Sequence, residues 1–129
     1  SFKGCSSLKT IKDIDVSFTV RMGTRYPNSV KDLFWTETAW KWFSGLNNLE
    51  NITFKGQTGL WDTMGSYLML SNCDTSKFTL ETWEAFASVF PEISTNKTIY
   101  MGKTQANLDA VPNSVKTTLI NKGYTLTVG

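Results

Sequence analysis

The chain has 129 residues, 13 Lys+Arg against 11 Asp+Glu, 40% apolar residues, two Cys and no His. That length suits one domain and not two ordinary ones. Without His, every Ser-His or Cys-His nucleophile is excluded within this chain, and a scattered net charge of +2 gives no stripe for a nucleic acid.

The N-terminal segment Leu8-x-x-Ile11-x-x-Ile14-x-Val16 has apolar spacings of neither helix nor plain strand, and suits a turn that feeds a short strand. A second copy stands at Leu46-x-x-Leu49-x-x-Ile52-x-Phe54, which aligns Leu8 with Leu46 and Ile14 with Ile52. Between the copies, Ser29 is a cap for a helix over 30–43, with Val30, Leu33, Phe34, Ala39, Trp40 and Phe43 on its apolar side and Gly45 as its stop.

The strand pattern recurs at Leu68-Met69-Leu70, Ile99-Tyr100-Met101 and Leu126-Thr127-Val128. The step from 52 to 68 is too short for a repeat, and apolar residues at 60, 61, 64, 67 and 68 predict a short helix or 3₁₀ segment there, ending near Ser71-Asn72. Thr79 predicts a capped helix from Leu80 to Phe90, with Trp83, Phe86, Ala87 and Phe90 on one face before Pro91. A third helix opens at Pro112, carries Val115, Thr118 and Leu119 on one side, and closes with Lys122 and Gly123. This alternation predicts parallel strands joined by crossover helices.

A further recurrence carries a family resemblance. Phe2-Lys3-Gly4-Cys5-Ser6-Ser7-Leu8 is echoed by Phe43-Ser44-Gly45-Leu46-Asn47-Asn48-Leu49 and by Leu70-Ser71-Asn72-Cys73. This resembles the leucine-rich repeats of the BspA-like bacterial family, and Asn121-Lys122-Gly123-Tyr124-Thr125-Leu126 is similar to the ending of such arrays. The resemblance implies a right-handed α/β leucine-rich-repeat solenoid over 1–129, with 17–42 as a degenerate repeat or insertion and 94–129 as a C-terminal cap. It also implies that Phe2 to Cys5 stands inside a repeat motif and that both Cys5 and Cys73 face inward as buried thiols.

In such a solenoid the polar strand positions line one face. These are Asp13, Asp15 and Ser17, then Thr53 and Lys55, then Tyr100 and Gly102, then Thr125 and Thr127. Trp35, Trp42 and Trp61 lie beside or off the apolar stripes and predict a partly exposed aromatic patch. Arg21 and Arg25, with Lys31, form the local cationic cluster. Ordinary solvated surface remains the alternative for each of these sets.

Asp13 and Asp15, two apart on one strand, would separate their carboxyls by ~6 to 7 Å, near a glycosidase pair, but nothing in the sequence supplies a cleft. Asn51 and Asn96 begin short glycosylation-like patterns of low specificity. The expectation is therefore a non-enzymatic module without cofactor or metal, binding a surface protein or glycan on a bacterial surface protein or phage tail-associated protein. The place implied is extracellular, cell surface or virion, without nucleic acid or membrane insertion. The alternative is an architectural capping or oligomerisation domain of a larger appendage.

Overall fold

The computed structural model describes residues 5–15, 42–55 and 66–129, and shows a mixed α/β arrangement of short parallel strands and helices. Strand β1 (Thr10–Asp15) pairs in parallel with β2 (Asn51–Lys55). A second sheet holds β3 (Ser66–Tyr67), β4 (Lys97–Tyr100) and β5 (Tyr124–Thr127), parallel and in chain order. Parallel neighbours need crossovers. Helix α1 (Leu80–Ser88) lies between β3 and β4, while α2 (Gln105–Asp109) and α3 (Asn113–Asn121) lie between β4 and β5.

The register of β1 on β2 decides between the two alignments that the sequence offers. Thr10 opposes Asn51 and Ile11 opposes Ile52, so Cys5 falls in line with Leu46 and Leu8 with Leu49. The echo from Phe2 and Phe43 therefore marks the structural repeat, and the match of Leu8 to Leu46 is displaced by three residues. The error has a physical source in β1, where Lys12 and Asp13 together stand against Thr53 before Ile14 resumes opposite Phe54. That bulge is fixed by Asp13, whose φ is +59° and whose N–H donates to Thr53 Oγ1 at 2.8 Å. The extra residue explains why apolar positions 11 and 14 are three apart on one face.

The next echo also lies alongside its neighbour. The Phe43 N–H donates to Met69 O at 3.2 Å, Gly45 N–H to Asn72 O at 2.8 Å, and Asp74 N–H to Leu46 O at 2.9 Å. Gly45 at φ +82° and Asn72 at φ +54° are both left-handed, which is why this motif position takes Gly or Asn. Phe43, Leu46, Leu70 and Cys73, around them, are almost wholly buried.

Two expected elements fall wholly or partly outside the described residues. The short helix or 3₁₀ segment expected from positions 60 to 68 falls largely on residues 56–65, outside the described residues; its described end opens as strand β3 at Ser66–Tyr67, and the chain then doubles back through i→i+3 bonds, with Ser71 N–H on Leu68 O and Cys73 N–H on Leu70 O. Tyr67 pairs with Ile99 in the sheet, and its buried ring packs against Phe90 at 5.1 Å and Tyr124 at 6.2 Å. The helix expected over 30–43 lies outside the described residues except for Trp42 and Phe43, which stand in the turn before Gly45. The helices at 80 and 112 form, the first ending at Ser88 and not at Phe90, since the N–H groups of Val89 and Phe90 turn to i→i+3 bonds on Phe86 O and Ala87 O. Thr79 Oγ1 accepts from Thr82 N–H at 3.2 Å, and Gly123, at φ +110°, follows α3.

The core is continuous from Ile11 to Tyr124. Its centre is aromatic: Trp83 and Phe86 on the inner face of α1 and Phe90 just beyond its end meet edge to face with centroids 5.0 to 6.0 Å apart. Burial of each such ring stabilises the fold by about 1.5–3 kcal/mol. The outer edge of β2 is closed by the same helix. Thr82 Oγ1 accepts from Ile52 N–H at 3.0 Å and donates to Glu50 O at 2.9 Å, and Thr79 N–H also reaches Glu50 O. The hydroxyl thus takes the place of a third strand.

Candidate functional site

Ser17, Arg21, Arg25, Trp35 and Trp61 lie outside the described residues. The other predicted positions divide between the two sheets and do not form one hydrogen-bonded surface. Asp13, Thr53 and Lys55 are exposed on β1 and β2, while Tyr100 is half-buried on β4. Asp15 belongs to β1 as expected. Because the strand bulges at Asp13, the regular two-residue separation assumed for Asp13 and Asp15 does not apply, and Asp13 lines neither of the two described cavities. Trp42 is half-buried, with its ring edge-on to Phe43 at 6.4 Å.

The cysteines separate as well. Cys73 is buried, and its thiol is pushed up to about 12 by burial first and by Asp74 second. It is a packing thiol and not a nucleophile. Cys5, expected to be buried, is exposed. It occupies the position of Leu46, but β1 has no neighbour on its outer side among the described residues, so nothing there covers the thiol.

The second sheet carries the best-formed polar row. Ser66, Thr98 and Thr125 oppose one another across its three strands, and Tyr100 opposes Thr127. The inward positions Lys97 and Ile99 of β4 are buried, which turns Thr98 and Tyr100 outward. Asn96 stiffens this row: its Oδ1 accepts from Thr125 Oγ1 at 3.0 Å and its Nδ2 donates to Gly123 O at 2.7 Å. The Tyr100 ring lies against Gly129, where a Cβ would come within 3.2 Å of Cε2.

Thr125 also opens onto the larger described cavity, a groove of about 470 Å³ between α2, α3 and β5. Its apolar lining comes from Leu108, Ile120, Tyr124 and Leu126, and its polar rim from Gln105, Asp109, Lys116 and Thr125. Ile120 is 56% exposed, one of two strongly exposed large apolar residues among those described. An apolar bed with a few placed polar groups is the usual form of a binding cleft. The smaller groove, about 310 Å³ between α1 and α3, is crossed by Lys122, whose Nζ donates to Ala87 O at 3.1 Å. That lysine closes the last turn of α1.

Two polar devices hold the groove's walls. Asn107 is buried, its Oδ1 accepts from the N–H groups of Lys103 and Thr104 at 2.9 and 3.1 Å, and its Nδ2 donates to Asp74 Oδ1 at 3.1 Å. Gly102, at φ +151°, allows this, since a Cβ would lie 2.7 Å from both Asn107 Cβ and Thr75 Oγ1. Asp74 is held below its ordinary value, chiefly by the Ser76 backbone N–H against some burial, with Asn107 and Lys77 assisting. Tyr124, at the groove floor, donates to Pro91 O at 2.7 Å, and burial, then Tyr67, raises its ionisation above the ordinary value. Sequence reading overlooked α2 and Asn107; the signal was Thr104-x-x-Asn107, a capping box with Asn in the place of Glu or Gln.

Among the described residues no group of three His, Cys, Asp or Glu stands close enough to hold a metal ion, and no helix is long and apolar enough to cross a membrane. No family model matches the chain, and no curated protein or solved structure is significantly similar to it.

Proposed function

We propose that the chain is a leucine-rich-repeat solenoid of BspA-like type, with 94–129 as its C-terminal cap, and that it is a non-enzymatic recognition module of a bacterial surface protein or phage tail-associated protein. The observation that carries the reading is the stacking of the echoed motifs. Cys5, Leu46 and Cys73 fall in line, and Gly45 and Asn72 share a left-handed conformation and a direct hydrogen bond. Successive units laid side by side in register are what a repeat array requires.

The binding surface in this reading is the polar row of β4 and β5 together with the adjoining groove. Hydroxyls of Thr98, Tyr100, Thr125 and Thr127 offer donors and acceptors without net charge, while Leu108, Ile120 and Leu126 give an apolar bed. This chemistry suits a glycan or a protein epitope at an extracellular or virion surface. Arrayed glycans and whole-cell binding test it, with Tyr100→Ala and Ile120→Asp as variants. Both side chains lie partly or largely in solvent, so the fold should persist while binding is lost. If the folded wild-type chain binds no glycan and no cell surface, the reading fails.

A further inference from the structure

The groove between α2, α3 and β5 is bounded by one unbroken described stretch, residues 97–129. Its strand, β5, stands at the far side of the second sheet from β3, where the described chain resumes at Ser66. Past β5 the chain turns back toward the segments that follow β4 and β3. Gly129 N–H donates to Gly102 O at 3.0 Å, and Gly129 O accepts from Asn72 N–H at 2.7 Å.

The floor of the groove is aliphatic. Leu108 and Leu126 are half-buried and Ile120 is 56% exposed, while Tyr124, the aromatic residue of the lining, is 2% exposed. The Tyr124 ring is taken up by Phe90 at 5.5 Å and Tyr67 at 6.2 Å, and its hydroxyl by Pro91 O. The described lining therefore leaves no aromatic face for a sugar ring to stack on. Sugar hydroxyls pressed onto Leu108, Ile120 and Leu126 would also lose water without gaining partners. Aliphatic side chains meet no such penalty, since contact with this floor removes apolar surface from water on both sides.

The rim sorts charge by wall. Asp109 stands on α2 and Lys116 on α3, and no ion pair joins them. Gln105 Nε2 donates to Asp109 Oδ1 at 3.0 Å, which leaves the second carboxylate oxygen to a ligand. The Lys116 side chain is half-buried in the groove wall, and no described residue accepts from its ammonium. We propose that the groove binds a segment of another protein, with aliphatic side chains seated on Leu108, Ile120 and Leu126, a basic residue beside Asp109 and an acidic residue beside Lys116. This rests on the groove being part of the binding surface argued above, and narrows its occupant from a glycan or a protein to a protein segment carrying both charges around an apolar centre.

A random dodecapeptide library displayed on phage, selected against the immobilised full chain, reads the occupant, with a glycan array run on the same chain. The expected peptides carry Leu, Ile, Val or Met between a base and an acid. Ile120→Asp should abolish binding of the selected peptide, and Lys116→Glu should weaken it at least about tenfold. Glu81→Lys, exposed on α1, should change nothing. The paired swap of Asp109→Lys with Lys116→Glu should bind instead the peptide with its acid and base exchanged, which a damaged fold would not produce. Selected peptides without the two charges, or peptide binding indifferent to Ile120→Asp, would overturn the proposal. So would glycans bound through Ile120 while no peptide is selected, although the groove would then remain a binding surface. Failure of peptides, glycans and cells alike would overturn both the proposal and the reading beneath it.

Discussion

The segments that begin at Cys5 and at Leu46 share one spacing and lie in one register, yet their coverage differs at nearly every equivalent position. Leu46, Leu49 and Ile52 are sealed, whereas Cys5 is exposed and Leu8 is half-buried. The difference comes from the far side. Beyond the second segment stand Cys73, Asp74 and α1, which supply hydrogen bonds from Asp74, Thr79 and Thr82; beyond the first, no described residue pairs. Burial in stacked parallel segments is thus conferred by the next neighbour and not by the motif itself.

The strongest way to break this comparison is to truncate equivalent leucines. Leu49→Ala opens a cavity in a sealed layer and should cost about 2–5 kcal/mol in urea unfolding, whereas Leu8→Ala should cost less than half as much, about 1–2 kcal/mol. Equal losses would show that Leu8 is as well covered as Leu49. Next in size is the closure of β2. Thr82→Val removes the hydroxyl that satisfies Ile52 N–H and Glu50 O, for an expected loss of about 1–3 kcal/mol. Amide exchange at Ile52 should then accelerate, and an unchanged rate would mean that the hydroxyl is not what guards the edge. A smaller effect, about 1 kcal/mol, is expected for Gly45→Ala. The space at Gly45 is open, so the loss reports the φ of +82° alone, and Gly45→Asn, which copies Asn72, should recover part of it.

Much of the fold is legible in the residues because local chemistry and tertiary demand agree there. Thr79 caps α1, Gly123 follows α3, and Trp83, Phe86 and Ala87 fall on one helical face that the core then uses, with Phe90 beside them past the helix end. The echo from Phe43 to Leu70 is legible for the same reason, since a left-handed turn selects Gly or Asn. At Tyr67, the described end of a segment whose apolar spacing is helical, the chain is strand, and its ring meets partners distant in sequence, Phe90 and Tyr124. The bulge at Lys12-Asp13 is equally hidden, because only its partner Thr53 reveals that two residues stand where one was counted. The groove beside β5 depends on four segments meeting, and no single window of sequence contains Leu108, Ile120 and Leu126 together. Among the described residues the polar strand positions divide between two sheets, a division set by which strands pair and not by the sequence of any one of them.

The two thiols restate the comparison of covered and uncovered layers at single-atom scale, and pH reads it. In the folded chain Cys73 is pushed up to about 12, while an ordinary thiol in the unfolded chain titrates near 9.0. The fold therefore retains a proton that the unfolded chain releases. Below pH 9 both states are neutral at this thiol and its titration changes nothing; between pH 9 and about 12 the unfolded chain ionises alone, and stability falls as pH rises. At pH 10 the loss should be on the order of 1 kcal/mol, and Cys73→Ala should remove this part of the slope, although Tyr124, raised in the same direction by burial, keeps a further alkaline loss. A disulfide reagent at pH 8 should label Cys5 of the native chain within minutes and reach Cys73 only on unfolding. Rapid labelling of both under native conditions would show that the layer over Cys73 opens as freely as the edge at Cys5, and the contrast between the two segments would then vanish.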